Sequence, residues 1–291
     1  MTLPASAWQP LLHVRVMLAL AAAGMVACGT ARAQFAAAVT PPRFELSVEP
    51  GKVLRQVMEI SQATPGAGTY RIYTNDWDLS VGGTLTFYDT LQPGSCRRWV
   101  AIERSEITVT MGSRVRYRFE VAPPADATVQ ECRFALMVEG KAQDVKTGES
   151  ASFPMSGRIA VIVYVRVGGA KPVLEPVATS IAQVDGQPTP VLLVYNSGNA
   201  TGRLGGILTG TDASGTTFEF TPDTAPILPG ITRQISLQPY QPGPRAPVSA
   251  SASATAPRLK WPVHLRGMLE YGPKDTDRFD LDRDFAERPA Q

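Results

Sequence analysis

Few residues in this chain could carry acid–base, nucleophilic or metal chemistry. The histidines are His13 and His264, and the cysteines are Cys28, Cys96 and Cys132. A zinc centre of the His/Cys type lacks ligands, and a catalytic triad would rest on a single histidine. His264 sits within an alternating apolar run over residues 263–271, with no carboxylate beside it in sequence, so a packed or surface histidine is expected. Asp280, Asp282 and Asp284 alternate near the C-terminus. Calcium binding would need further oxygen ligands and usually a turn glycine, so a solvated acidic segment is the expectation. Carboxylate pairs could hydrolyse a substrate without histidine, but no site is marked by spacing. The phosphate-binding run Gly-x-x-x-x-Gly-Lys-Ser/Thr is absent from the sequence. The expectation is a protein that is not an enzyme, with no cofactor, no metal and no small-molecule substrate. Asn199-Ala200-Thr201 fits a glycosylation acceptor pattern, which is common by chance.

The N-terminus resembles an export signal. His13 and Arg15 precede an apolar run over residues 16–27, followed by Ala31-Arg32-Ala33 with small residues where a signal peptidase reads. Cleavage is expected after Ala33, giving a soluble periplasmic protein. Two alternatives stay open: a lipoprotein acylated at Cys28, or a retained anchor. The full chain carries 28 Lys+Arg against 26 Asp+Glu. Loss of residues 1–33 removes Arg15 and Arg32 and no acid, leaving 26 of each sign. A neutral chain has no broad basic field, so nucleic acid is not an expected partner. The exported part also keeps just Cys96 and Cys132. An even pair in an oxidising compartment is read as a disulfide, with two buried free thiols as the alternative.

The elements that must position these residues are strands. With 25 Gly and 25 Pro in 291 residues, the chain favours short elements joined by turns. Phe44, Leu46 and Val48 alternate with Glu45, Ser47 and Glu49. Val115, Tyr117, Phe119 and Val121 alternate with Arg114, Arg116, Arg118 and Glu120, a half-buried strand with a basic outer face. Residues 134–138 and 159–167 are more continuously apolar. Turn signals such as Glu49-Pro50-Gly51 and Gln92-Pro93-Gly94 separate such runs. The spacing predicts an all-β protein built of sandwiches. Gly168-Gly169-Ala170-Lys171-Pro172 marks a boundary. The expected organisation is a signal peptide (1–33), an N-terminal domain (34–167), a C-terminal domain (168–272) and a flexible charged tail (273–291). A Pro-, Ser- and Ala-rich loop is expected over 241–257.

The first half resembles the N-terminal domain of periplasmic pilus-assembly chaperones of the chaperone–usher pathway. The residues that carry the likeness are Pro42-Arg43-Phe44-Glu45-Leu46, Gly51 with residues 53–60, Asn75-Asp76-Trp77, residues 95–99, residues 114–119 before Ala122-Pro123, and residues 157–165. The second half is similar to the family's C-terminal domain through Asn196-Ser197-Gly198-Asn199-Ala200, Asp212-Ala213-Ser214-Gly215 and Ile227-Leu228-Pro229-Gly230. The resemblance spans roughly residues 40–272. It implies two immunoglobulin-like β-sandwich domains set at an angle. It also implies a chaperone for fimbrial or pilus subunits, handing them to an outer-membrane usher. A subunit with an open groove exposes unpaired strand edges, and the chaperone would lend it a strand.

The candidate donor strand is residues 153–165, with Phe153, Met155, Ile159 and Val161 on one face. Residues 153–159 would be lent, and 161–165 would belong more to the domain's own core. The polar stretch 141–152 would be a mobile loop before a partner arrives. Pro154 argues against donation, because it lacks an N–H. The family's cleft holds two basic residues for the subunit's terminal carboxylate. Arg43 matches the first. The second has no clean counterpart, since Val161 or Ile162 falls there, and Arg158 is the nearby substitute. An alternative reading is a secreted or outer-membrane Ig-like structural or adhesin subunit. A free N-terminal extension would favour that reading, and residues 34–41 are short for it.

Overall fold

The structure is a computed structural model. It describes residues 37–63, 66–141, 143–147, 151–240, 259–272, 274 and 276–286, with the backbone alone for 143–147 and 151–155. The expected signal peptide, Cys28 and the 241–257 loop lie outside the described residues.

The first unit contains β1 (Ala37–Thr40), β2 (Arg43–Val48), β3 (Leu54–Gln62), β4 (Ala67–Leu79), β5 (Leu85–Tyr88), β6 (Val100–Ile102), β7 (Glu106–Thr110), β8 (Arg114–Val121), β9 (Glu131–Gly140), β10 (Gln143–Thr147), β11 (Ala151–Met155) and β12 (Arg158–Val167). One sheet has the order β1-β3-β8-β6. The facing sheet runs β2-β12-β9-β4-β5, with β7 also on β4. The chain passes from the first sheet to the second between β1 and β2, at Pro41-Pro42, where no backbone N–H is lost from a ladder.

Period-2 alternation sets what each sheet buries. Met58 and Ile60 of β3 and Tyr117, Phe119 and Val121 of β8 meet Phe44, Ile72, Phe134, Leu136, Val161, Val163 and Val165 of the other sheet. Phe119 packs edge-on against both Phe44 and Phe134. Burying each such side chain contributes roughly 1.5–3 kcal/mol. Arg114, Arg116 and Arg118 are exposed on the opposite face of β8, as their alternation predicts. Cys96, before a short 3₁₀ turn (Arg97–Trp99), is bonded to Cys132 of β9. The disulfide reading therefore holds, and it ties the 89–99 connection to the middle of the sheet.

The second unit contains β13 (Leu174–Val184), β14 (Gln187–Asn196), β15 (Leu208–Asp212), β16 (Thr217–Pro222), β17 (Thr232–Pro239), β18 (Val263–Glu270) and β19 (Arg278–Phe285). Its order is β13-β14-β17-β16-β15-β18-β19. Only Phe220–Pro222 of β16 pairs with β17, so this short stretch joins two layers, β13-β14-β17 and β16-β15-β18-β19. Leu192, Val194, Leu208, Phe220, Ile235, Leu265 and Phe285 fill the space between them. Both units are two-layered β structures, in agreement with the all-β immunoglobulin-like expectation. They are joined through Gly168 and Gly169, whose φ values of 63° and 79° suit glycine and not a residue with a Cβ.

Two expectations are corrected. Residues 278–285 are not a flexible tail. They form β19, paired antiparallel along the whole of β18, and the second unit extends past residue 272. Phe279, Leu281 and Phe285 alternate with Asp280, Asp282 and Asp284, and Leu281 and Phe285 are buried. The dense charge masked a strand pattern whose inner face is apolar at three of its four positions. Nor is 153–165 a single strand. β11 ends at Met155 and β12 starts at Arg158. β10 and β11 pair with each other as an extension of the β9–β12 hairpin, displaced by one residue in register. The backbone N–H of Gly140 donates to the Gly157 carbonyl at 3.0 Å where the two ladders meet. The stretch expected as a loop over 141–152 thus contains β10.

Candidate functional site

β12 is covered on both sides along only part of its length. β9 pairs with it from Arg158 to Arg166. β2 runs parallel on the other side, but its register begins at Arg43 opposite Ile162. Residues 158–161 therefore have one ladder and one uncovered edge among the described residues. Among the described residues β11 likewise has only β10 beside it. The parity of β12 gives its two faces. Val161, Val163 and Val165 point into the core, and Ile159 packs half-buried at its rim. Arg158, Ala160, Ile162, Tyr164 and Arg166 lie on the opposite face by parity, and Ala160, Ile162 and Tyr164 meet the second unit there.

That opposite face is half closed. Leu228 and Ile231 of the second unit pack against Trp77, Leu79, Ala135, Met137 and Tyr164, with Ala160 and Ile162 at the edge. Leu228 belongs to Ile227-Leu228-Pro229-Gly230, a turn whose sequence stood out and which here supplies a domain contact. A second turn, residues 196–203, docks on the start of β9. Its foundation is the buried Asn196. Asn196 Nδ2 donates to the carbonyls of Ala200 and Ile227, both at 2.8 Å, and Oδ1 accepts from Val173 and Gly198 N–H. The Asn199 side chain of the glycosylation-like pattern donates to the Val129 carbonyl at 2.8 Å, and the Glu131 N–H donates to the Asn199 carbonyl at 3.0 Å.

Between these contacts lies a cleft of about 190 Å³, lined by Glu45, Glu131, Tyr164, Arg166, Arg203 and Tyr271 among others. Glu131 accepts from the Thr201 hydroxyl at 2.5 Å and from its N–H at 2.9 Å. Burial pushes the Glu131 carboxyl pKa up, opposed by these hydrogen bonds and by Arg133 and Arg166. Arg166 Nη2 donates to the Thr201 carbonyl at 3.3 Å. Arg203 reaches across from the second unit to Glu45 (Nε to Oε1, 3.2 Å) and to the Tyr164 hydroxyl (3.2 Å), with its guanidinium over the Tyr164 ring. Burial raises the Tyr164 pKa, and Arg203 opposes it.

Of the two basic residues expected in the cleft, Arg43 is at its margin and is half-exposed. Its Nε is 2.9 Å from Glu45 Oε1, so Arg43 and Arg203 share one carboxylate. Arg158 is exposed at the far end of the open edge, opposite Glu139. It lies four residues along β12 from Arg43's partner Ile162, roughly 13 Å at strand rise. The fold does not bring the two together. Phe153 and Met155 fall on β11, and their side chains lie outside the described residues. Ile159 and Val161 are on β12, Val161 fully buried. Glu45, Glu131 and Arg203 were not singled out from sequence. The alternation of β2 already put Glu45 opposite the core face, but nothing in sequence pairs it with a residue 158 positions away.

No protein-family model and no curated protein matches this chain. Solved structures to which it is similar include the class 5 fimbriae chaperone CfaA (10% identity, 85% of this chain and 98% of that chain, TM-score 0.45). Another is the Salmonella enterica SafA pilin in complex with the SafB chaperone (10%, 87% and 99%, 0.45). A third is the CsuC–CsuE chaperone–tip adhesion subunit complex of Acinetobacter baumannii (12%, 87% and 100%, 0.42).

Proposed function

We propose that this protein is a periplasmic chaperone. It binds fimbrial or pilus-type subunits and caps them by lending a β-strand before assembly at an outer-membrane usher. The observation that supports this is the uncovered edge of residues 158–161, continued by β11. Main-chain N–H and C=O groups that point away from β9 there are open to pairing with a foreign strand, and paired edges give affinity without a catalytic group. The lent segment is β11 with the first residues of β12, so Phe153, Met155 and Ile159 would meet the subunit groove, while Val161 stays with the chaperone's own core. Arg43, at the closed end of the open edge, is the proposed anchor for the subunit's terminal carboxylate. Arg158 holds the partner strand at the other end. The sequence resemblance supplies the client class, and the export signal the compartment. The alternative of an assembled subunit gains nothing from β1, which is already paired to β3.

The test is co-purification of subunits with the tagged protein from periplasm. Arg43→Ala and Ile159→Asp are each expected to lower the yield of subunit complex at least tenfold, with β circular dichroism unchanged. Unaltered complexes in both variants would reject strand lending.

A further inference from the structure

Arg43 and Arg203 share the Glu45 carboxylate, and they are held differently. The alternation of β2 puts Arg43 and Glu45 on one face, opposite Ile162 and Tyr164 of β12. Arg203 arrives from the 196–203 turn of the second unit. Both guanidinium groups meet the same oxygen, Glu45 Oε1, at 2.9 Å from Arg43 Nε and 3.2 Å from Arg203 Nε. Arg203 has only 18% of its side chain exposed and is fixed at its other two nitrogens as well. Nη1 donates to the Thr224 carbonyl at 2.9 Å, and Nη2 to the Tyr164 hydroxyl at 3.2 Å. Arg43 has 52% of its side chain exposed, and among the described residues its guanidinium has Glu45 alone. Arg203 is therefore kept in place whatever Glu45 does, and Arg43 is not.

The charges here do not balance. The cleft wall carries Glu45 and Glu131 against Arg166 and Arg203, and Arg43 at the margin makes three guanidinium groups to two carboxylates. Arg133, which also acts on Glu131, adds to the excess. A second carboxylate at Arg43 would give each arginine of the pair an acid of its own, through charge-assisted hydrogen bonds. Arg43 and Glu45 both reach solvent, so Arg43 can change partner without a buried charge being stripped. An exposed arginine–carboxylate pair is weak enough to yield to a better-placed acid.

We propose that Glu45 is an exchangeable stand-in for the subunit's terminal carboxylate: it holds Arg43 in the free protein, and passes wholly to Arg203 when that carboxylate takes Arg43. This rests on the reading of Arg43 as the anchor. It adds that occupancy of the anchor and docking of the second unit are coupled through one oxygen. A carboxylate at Arg43 removes the competitor of Arg203, so binding tightens the contact between the two units. By linkage, whatever draws Glu45 towards Arg203 favours the bound carboxylate equally. Loss of Arg203 then returns Glu45 to Arg43 and weakens binding, while loss of the Glu45 charge strengthens it. These opposite signs mark an exchange. A latch that only held the two units at the right angle would weaken binding when either partner was removed.

The experiment follows the Nε–H signals of Arg43 and Arg203 by NMR in the ¹⁵N-labelled protein at low ionic strength. The probe is the tripeptide acetyl-Ser-Val-Ser with a free terminal carboxylate, and its terminal amide is the control. A peptide this short reads the anchor and not the strand edge. Saturable shifts of both signals with the carboxylate are expected, and none with the amide. Glu45→Gln should bind the carboxylate about threefold more tightly and Arg203→Gln about threefold more weakly, the size of an exposed pair's contribution. In Glu45→Gln the Arg43 signal should still follow the peptide, and the Arg203 signal should not. If Arg203→Gln does not fold, Arg203→Lys carries the same sign with a smaller loss. A native Arg43 signal that ignores the carboxylate would overturn the anchor and this proposal together. An Arg43 that responds, with binding weakened or unaltered by Glu45→Gln or with a silent native Arg203, would leave the anchor standing and overturn the exchange.

Discussion

The two halves of β12 have the same alternation and different neighbours. Residues 162–167 lie between β2 and β9, and residues 158–161 have β9 alone. In the covered half every odd side chain is buried to completion, at Val163, Val165 and Val167. In the open half burial falls away from Val161 through Ile159 to the exposed Arg158. The difference is made by where β2 begins, four residues along from the start of β12. One strand can therefore anchor a domain at one end and present an edge at the other. The boundary is drawn by a neighbour's length and not by β12's own sequence.

The sharpest way to break this comparison is to put the same charge in each half. Val163→Asp places a carboxylate among Phe44, Phe134 and Val161 with no partner, and should destabilise the fold by about 4 kcal/mol or more. Urea denaturation of the two proteins checks it. Ile159→Asp reaches solvent at the rim and should cost about 1–2 kcal/mol, while its main effect is on partner binding. Equal losses of stability at both sites would mean that the open half is as deeply packed as the covered half.

Next in size is the staple on the covered side. Cys132 stands opposite Val165 in the β9–β12 ladder, and its bond to Cys96 closes a loop of 36 positions. Replacing both cysteines by alanine should lower stability by about 3–4 kcal/mol, by releasing the unfolded chain. The midpoint of denaturation should move while the far-ultraviolet spectrum stays β. A loss under 1 kcal/mol would show that packing of the covered half alone fixes the 89–99 connection.

Much of this arrangement was legible in the sequence, and the exceptions share a cause. Phe44-Leu46-Val48 and the Tyr117-Phe119-Val121 run gave strands and faces, because period 2 is a local property. The even pair of cysteines outside the expected export signal pointed to the disulfide. β19 is hidden by three aspartates that mask an inward Phe-Leu-Phe alternation, β10 by its polar sequence, and the break between β11 and β12 by the apolar residues on either side of Ser156-Gly157. The site was harder. Arg203 with Glu45 and Thr201 with Glu131 are neighbours only after register and domain docking are set. Arg43 and Arg158, expected together, stand apart because Arg43 meets β12 at Ile162 and not at Arg158. Nearness on one strand is not nearness across a parallel ladder.

The smallest effect concerns the covered end of β12, where Arg166 pairs with Glu131 and Thr201 caps the carboxylate. Burial raises the Glu131 pKa above its ordinary value, despite those hydrogen bonds. The sign of the linkage follows. At pH below the ordinary glutamate range, Glu131 is protonated in both the folded and the unfolded chain and its ionisation does not oppose folding. As pH rises, the unfolded chain releases its proton first, so stability falls until Glu131 in the folded protein ionises in turn, and then levels. Glu131→Gln abolishes this titration and keeps an oxygen to accept from Thr201. Relative to the variant, the native protein should lose stability as pH rises from about 4.5 through the raised pKa. Stability measured by urea denaturation at stepped pH gives the difference curve. A difference that grows in the opposite direction would mean that the Thr201 and arginine contacts outweigh burial, and that this end of the strand is held by charge and not by packing.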